Sequence, residues 1–446
     1  MDYNNTSHAG NAGRFNVQVL KVVRHALFVA FHYPPEASSS GVLRTLKYSV
    51  YLPEYGWRVS VITLDPSAYA VCDPQLEKQI PAGVRVVRTR YINTQRHLSI
   101  RGIYPAILAL PDRWIGWWPW AVAAGHRLLK EDPAELIYST SPQPTAHLVA
   151  MRLASAHGLP WVTDFRDPWI EYPPPIGTPT GRVFLALDRY LERRVIERSA
   201  RVVTSTAQMR DEMRLRYPKV PADKITAILN GYDEADFADP DVLARARPEQ
   251  LLIVHAGTIN PEFRDPRPLF RALRLAANQG AIPLDQVRLR FIGSGPFGES
   301  PEMRAAVAEN GLVQQVEFVG RVPYEQALRE LGCADLLLLL QASEDTTGLV
   351  PAKLYEYLRA QKPVLALVWP GASNEVLAMT GGGWAIDPRQ PEALTATIAT
   401  VYQAWRSDTL KAHCADLDLL RRFDRRTLAG ELAGVFDQAM QHGLRP

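Results

Sequence analysis

The sequence predicts an α/β fold: two doubly wound, Rossmann-like domains, each with a parallel sheet, facing one another across a cleft. Three observations carry this expectation. At 446 residues the chain exceeds the roughly 100 to 200 residues that one core ordinarily serves. Short β-rich runs recur between helical stretches in two separate series. A polar, proline-containing stretch from Asp233 to Gln250 divides those series.

The first series is HALFVAFHY (25–33), VSVITL (59–64), VRVVRT (84–89), ELIYST (135–140), PWVTDF (160–165) and RVVTST (201–206). Its runs are apolar with little alternation, which marks strands covered by helices on both faces and hence a parallel sheet of βαβ units. The second series is LLIVHAG (251–257), VRLRFIG (287–293), VEFVG (316–320), DLLLLLQ (335–341) and PVLALV (363–368). Two such sheets bring strand C-termini and helix N-termini to a shared cleft, where α/β proteins bind ligands. From Arg421 to Met440, the apolar residues Phe423, Leu428, Leu432, Val435 and Phe436 fall near helical spacing and predict a closing helix. The expected divisions are a disordered leader (1–20), a first domain (21–235), a linker (236–250), a second domain (251–420) and a closing helix with tail (421–446).

Composition narrows the class. Apolar residues at 47% and charged residues at 22% match a packed globular chain and exclude a disordered one. Cys72, Cys333 and Cys414 are odd in number and far apart, which supports neither a disulfide framework nor a Cys-rich zinc site and fits a reducing compartment. The polar start lacks the features of a secretory signal. The long stretch at 103–129 is broken by Pro111, Asp112, Arg113 and Pro119, so no spanning helix is expected and the location is cytoplasmic. Residues 1–235 hold 28 Lys and Arg against 21 acids, and the remainder 22 against 26. That basic first half suits an anionic membrane surface or a phosphorylated acceptor, or is ordinary solvation. Nucleic acid is not an expected partner, and the oligomeric state is not legible.

Candidate ligand contacts cluster after the strands. HYPPEASSSGVLRTLKY follows the first strand with a turn of small residues and a helix starting near Gly41, where free backbone N–H groups and the helix dipole favour phosphate. HAGTINPEFRDPRPLFRAL ends a strand on Gly257 and Thr258 and supplies Arg264 and Arg267 before a helix, cations suited to a diphosphate. FIGSGP repeats the strand-to-glycine turn at Gly293 and Gly295. In GLVPAKLYEYLRAQKPVLAL (348–367), Lys353 and Glu356 lie on a predicted helix, the Lys placed to neutralise phosphate and the Glu to grip ribose or sugar hydroxyls.

At these residues the chain resembles family 4 of the retaining glycosyltransferases, from about Val23 to Phe436. PPEASSSGVLRTLKYSVYLPEYGWRVSVIT, WVTDFRDPW, ILNGYDEADF, AGTINPEFRDP, FIGSGP, FVGRVPYEQALRELGCADLLLL and VPAKLYEYLRAQKPVLAL occur in the order the family keeps them. The resemblance implies the GT-B fold, a nucleotide-sugar donor held mainly by the second domain, an acceptor on the first, and a last helix crossing back to the first. It implies that Ser40 and Gly41 face the donor phosphates, and that Asn230, Gly231 and Asp233 form the connection between domains. Thr258 stands where many members have a diphosphate-binding Arg. The family's Lys falls on Phe263, so that role moves to Arg264. Of the family's two glutamates seven residues apart, the second matches Glu356, whereas Gly348 occupies the first position and Glu344 lies four residues early. Lys353 offsets this loss in a subgroup with a PAKLYEYL-type motif. Arg166 stands where many members have a histidine, beside Asp164 and Asp167, and a structural Arg–Asp latch is the alternative.

The expected catalytic set is therefore Arg264, Lys353, Glu356 and Asp167. The expected donor-binding set is Ser40, Gly41, Arg166, Gly257, Thr258, Gly293, Gly295, Val322, Leu349 and Val350. No metal or other cofactor is expected, because the D-x-D strings Asp239/Asp241 and Asp416/Asp418 end no core strand. The expected activity is sugar transfer with retention to a glycan or lipid-linked acceptor in surface polysaccharide or glycolipid assembly. The alternatives are a non-catalytic nucleotide-sugar-binding or scaffold subunit and a sugar-nucleotide epimerase of GT-B fold. Trp114, Trp117, Trp118 and Trp120 within LPDRWIGWWPW, with Arg189, Arg193, Arg194 and Arg198 on a basic helix, suit peripheral contact with the inner face of a membrane. The Trp residues equally suit core packing or an acceptor groove.

Overall fold

The computed structural model describes residues 23–38, 41–99, 106–170, 179–239 and 249–443. The predicted leader, most of the predicted linker and Ser40 lie outside the described residues.

Seven strands form the first sheet: β1 (Arg24–Ala30), β2 (Trp57–Leu64), β3 (Arg85–Thr89), β4 (Leu136–Thr140), β5 (Trp161–Phe165), β6 (Arg201–Thr204) and β7 (Ile225–Ala227). Their order is β3-β2-β1-β4-β5-β6-β7, with every pairing parallel. The second sheet holds β8 (Leu251–Ala256), β9 (Val287–Ile292), β10 (Val316–Val319), β11 (Leu336–Gln341), β12 (Val364–Val368) and β13 (Gly383–Ile386). Its order is β10-β9-β8-β11-β12-β13, again parallel throughout. Continuous burial of β4, β5, β11 and β12 confirms helical cover on both faces. The strands β7 and β13 were not predicted. One has three residues, and the other begins on the last glycine of the run 381–383, so neither carries a β signal of its own.

A buried ion pair fastens the first domain. Arg44, in the helix Gly41–Tyr51, is 2% exposed, and Asp164 at the end of β5 is 0% exposed. The guanidinium donates to both carboxylate oxygens at 2.9 and 3.0 Å, and to the Ile228 and Leu229 carbonyls at 2.9 and 2.8 Å. Tyr138 and Thr140 of β4 donate to the same carboxylate. Burial alone would raise the Asp164 pKa, but the Arg44 charge and these hydrogen bonds hold it below the usual range. The predicted latch is thus corrected in its partner: Asp164 pairs with Arg44, because β5 and the Gly41–Tyr51 helix meet there, while the Arg166 guanidinium donates to the Gly41 carbonyl.

The last helix, Arg425–Gly443, returns to the first domain as predicted. Leu428, Leu432 and Phe436 join the core formed by Ala26, Phe28, Trp57 and Tyr138. The Phe436 ring packs edge-on against Trp57 at 5.2 Å, and Asp437 accepts from the Trp57 indole at 3.0 Å. The chain enters this helix through a close crossing with the first interdomain segment, where Tyr232 N–H donates to Phe423 O and Arg425 N–H to Tyr232 O. A side chain at Gly231 would place its Cβ 1.9 Å from Phe423 O, so only glycine fits the crossing.

Of the readings open to the tryptophan run, core packing holds for Trp114 and Trp117, while Trp118 and Trp120 are half-buried. Trp114 is 5% and Trp117 0% exposed, and the Trp117 indole donates to Thr89 Oγ1 at 2.7 Å. Trp118 is half-buried and donates to Leu148 O. Gly116 packs so closely on Ile92 that a Cβ there would lie 2.6 Å from its carbonyl oxygen, which turns the run inward. The D-x-D at Asp416 is a helix cap: its carboxylate accepts from the Asp418 and Leu419 N–H groups.

Removing one half of the buried pair leaves the other charge desolvated and uncompensated. Arg44→Met or Asp164→Leu is expected to destabilise the first domain by about 3–5 kcal/mol, and the double variant by clearly less than the two added together. Denaturant unfolding of the three variants checks this; additive losses would mean the pair is not coupled.

Candidate active site

On the second domain, β8 and β9 end in two glycine turns bonded to each other: Gly257 N–H donates to Ile292 O at 2.7 Å, and Ile259 N–H to Ser294 O at 3.0 Å. Gly257, Gly293 and Gly295 have φ of 120°, 68° and 72°, conformations that favour glycine. Thr258 is exposed between them, its methyl 3.0 Å from where a Cβ on Gly295 would stand.

Against this double turn rests the start of the helix Ala352–Arg359, whose cap residue Pro351 carries no side-chain acceptor for the first N–H groups. Lys353 donates to Ala256 O at 2.6 Å. Its Nζ would lie 2.4 Å from a Cβ on Gly257, so the lysine occupies space that only glycine leaves. Burial pushes the Lys353 amine down to about 7, and the Arg264 charge adds to the effect, opposed by Glu356. Burial also lowers Arg264, whose guanidinium lies 4.9 Å from the Phe263 ring centroid. His255, at the back of the turn, is pushed well down by burial and then by Lys353. The double turn is thus a desolvated, cationic recess at a helix start, which matches a polyanion such as a diphosphate.

Glu356 lies one turn after Lys353 and accepts from the Tyr324 hydroxyl at 3.0 Å, as does Asp236. Burial raises both carboxyls. Arg267 is not part of the recess: Asp265 binds it at 2.8 Å and Glu302 closes on its other side, which corrects its predicted role beside Arg264. Val350 is buried in the second domain's core, Leu349 packs against the core of the first, and Val322 is half-buried after β10. None of the three has a charged or hydrogen-bonding side chain.

The first domain forms a second cluster. The Arg166 guanidinium lies on Gly41, where a Cβ would meet Nη2 at 1.5 Å, and donates to the Gly41 carbonyl at 3.1 Å. Ser141 Oγ accepts from the Arg166 N–H at 2.7 Å and from the Asp167 N–H at 3.5 Å. His32 and Glu36, which sequence reasoning missed, form a buried pair 2.8 Å apart. Burial and then Arg166 lower the His32 pKa against the pull of Glu36. Their only signal was a His and a Glu four apart in HYPPE, which falls in a turn and not on a helix face. The clusters are bridged by bonds equally invisible in sequence: Thr206 Oγ1 to Gly348 O at 2.8 Å, and Arg321 to Ala37 O at 2.6 Å. Among the described residues no group of three or more His, Cys, Asp or Glu is placed to hold a metal ion.

Because Lys353 loses its charge near pH 7, its cationic fraction falls as pH rises from 6 to 8, and anion binding at the recess weakens over the same range. Competitive acylation read by mass spectrometry is expected to give Lys353 an apparent pKa near 7, against about 10.4 for an exposed lysine. Arg264→Met moves it upward. An ordinary lysine titration would contradict the burial described.

Comparison with known proteins assigns the two sheets separately. Residues 42–231 match the family described as "Glycosyl transferase 4-like domain", and residues 250–404 the family described as "Glycosyl transferases group 1". A curated relative, "Probable glycosyltransferase WbjE" of Pseudomonas aeruginosa, is 30% identical over 132 residues. That match spans 29% of this chain and only 30% of the relative. Among solved structures, a glycosyltransferase from Rickettsia africae aligns with a TM-score of 0.65 at 14% identity, covering 94% of this chain and 99% of the other. HepE of Anabaena, solved in complex with UDP, aligns with a TM-score of 0.64 at 18% identity, covering 93% and 99%. At these identities the structural matches establish the fold. The chain thus carries a glycosyl transferase 4-like domain on its first sheet and a glycosyl transferases group 1 domain on its second, in the two-domain GT-B fold that these structures share.

Proposed function

We propose that this protein moves a hexose or related sugar from a nucleotide-sugar donor to a glycan or lipid-linked acceptor, with retention, in the assembly of a surface polysaccharide or glycolipid. The observation that carries this is the desolvated pair Lys353 and Arg264 at the Gly257 turn. The bond from the anomeric carbon to the diphosphate oxygen breaks with its electron pair going to the diphosphate. Lys353, Arg264 and the helix N–H groups offset that charge. The acceptor hydroxyl adds from the same face and passes its proton to the departing phosphate oxygen. Neither a side-chain nucleophile nor a metal ion is required. Glu356 grips a ribose or sugar hydroxyl; Thr258, Gly293 and Gly295 let the donor backbone approach; Gly41 and Arg166 face it from the first domain, where Asp167 orients the acceptor. HepE was solved with UDP, which makes uridine donors the first to test.

A donor panel of UDP, GDP and ADP sugars separates the readings. Turnover supports transfer, binding without turnover supports a non-catalytic subunit, and an altered sugar without transfer supports an epimerase. Lys353→Ala and Arg264→Ala are each expected to lower kcat by about 100-fold or more, with activity unchanged by EDTA. Activity lost to EDTA and restored by magnesium or manganese would overturn the metal-free scheme.

Peripheral membrane contact rests on the helix Pro179–Arg198, with the Trp run set aside. Arg182, Arg189, Arg193 and Arg198 are exposed, as are Val183 (58%) and Tyr190 (55%). Basic and apolar groups together on one exposed helix suit an anionic bilayer surface. Arg189→Glu with Arg193→Glu is expected to abolish low-salt co-sedimentation with anionic vesicles. No sedimentation of the parent at low salt would remove the membrane from this account.

A further inference from the structure

Position 348 precedes the Lys353 helix and lies against the first domain. Thr206, which caps the helix Ala207–Arg216 by accepting from Met209 N–H, also donates its hydroxyl to Gly348 O at 2.8 Å. Two residues on, the Gln208 carboxamide stands 3.5 Å from where a Cβ on Gly348 would be. An alanine there makes ordinary contact. A longer side chain would compete with Gln208 for the same space, so glycine at 348 and glutamine at 208 are two halves of one arrangement. Gln208 is half-buried and its Nε2 donates to Glu212 Oε1 at 3.0 Å. That bond fixes the carboxamide and leaves its oxygen and a second N–H to serve a ligand.

We propose that Gln208 is a specificity-determining residue that reads hydroxyl groups of the transferred sugar from the first domain, across the cleft from Lys353. This rests on the nucleotide-sugar reading above. A carboxamide accepts and donates without charge, so it suits the vicinal hydroxyls of a neutral hexose better than an anionic sugar. The Thr206–Gly348 bond holds this part of the first domain against the loop that precedes the Lys353 helix.

The test compares binding of a nucleotide sugar with binding of its nucleoside diphosphate by calorimetry, in the parent, Gln208→Ala, and Gln208→Ala combined with Gly348→Glu. Gln208→Ala is expected to weaken nucleotide-sugar binding tenfold or more and to leave nucleoside diphosphate binding within twofold. The double variant regains part of the loss, because the new carboxylate fills the vacated space. Thr206→Val controls for the domain contact and is expected to weaken only the nucleotide sugar. Loss of both ligands in Gln208→Ala with circular dichroism unchanged would assign Gln208 to the phosphate site and overturn the inference. So would unchanged affinity for every sugar the parent binds, which leaves the nucleotide-sugar reading intact. A parent that binds no nucleotide sugar removes both.

Discussion

Burial of Arg44 beside Asp164 is the constraint on which the rest of the first domain depends. A carboxylate taken out of water at the end of β5 demands a counter-charge and several donors. It receives them from the Gly41–Tyr51 helix and from β4. The same guanidinium uses its remaining N–H groups on Ile228 and Leu229, where the chain leaves β7 for the second domain. One side chain thus sets the helix after β1, the end of β5 and the exit toward the cleft in fixed relation. A buried ion pair contributes little net stability against an apolar replacement; what it supplies here is register among elements far apart in sequence.

The recess on the second domain follows the opposite logic. Among the described residues Lys353 and Arg264 lack the close carboxylate partner that Arg44 has. Their charges repel in a desolvated setting, so folding bears a cost that an incoming anion would remove. For Lys353 that cost is full below pH 7 and fades as pH rises toward the ordinary lysine value, because only the unfolded chain then holds the proton. A recess of this kind is stabilised by its ligand, which is the property expected of a site built for binding and not for rigidity.

The route by which the chain links its domains explains how two independent sheets share a site. The chain passes from the first sheet to the second and returns through the Arg425–Gly443 helix, and the two crossings hydrogen-bond to each other at Tyr232 and Arg425. Between them, Tyr324, Asp236 and Lys47 form a polar contact that reaches Glu356. Beside these polar bonds, Leu349 packs against the first domain's core and Tyr324 against Val42, Leu43 and Leu46, so the domains meet through a mixed polar and apolar contact.

The sequence by itself determined the two parallel sheets, the returning helix and the glycine turns, because continuous apolar runs, helical spacing and strand-end glycines are local signals. It also singled out Lys353, Glu356 and Arg264, whose positions follow from strand-to-helix order. It did not show that Asp164 pairs with Arg44, 120 residues away, that Asp265 and Glu302 neutralise Arg267, or that the Trp run turns inward. Nor did it show His32 beside Glu36, or Gln208 against Gly348. Each of these depends on which charge or ring another element covers. Pairing and burial are set by distances through space, which spacing along the chain does not encode, so only the tertiary structure decided them.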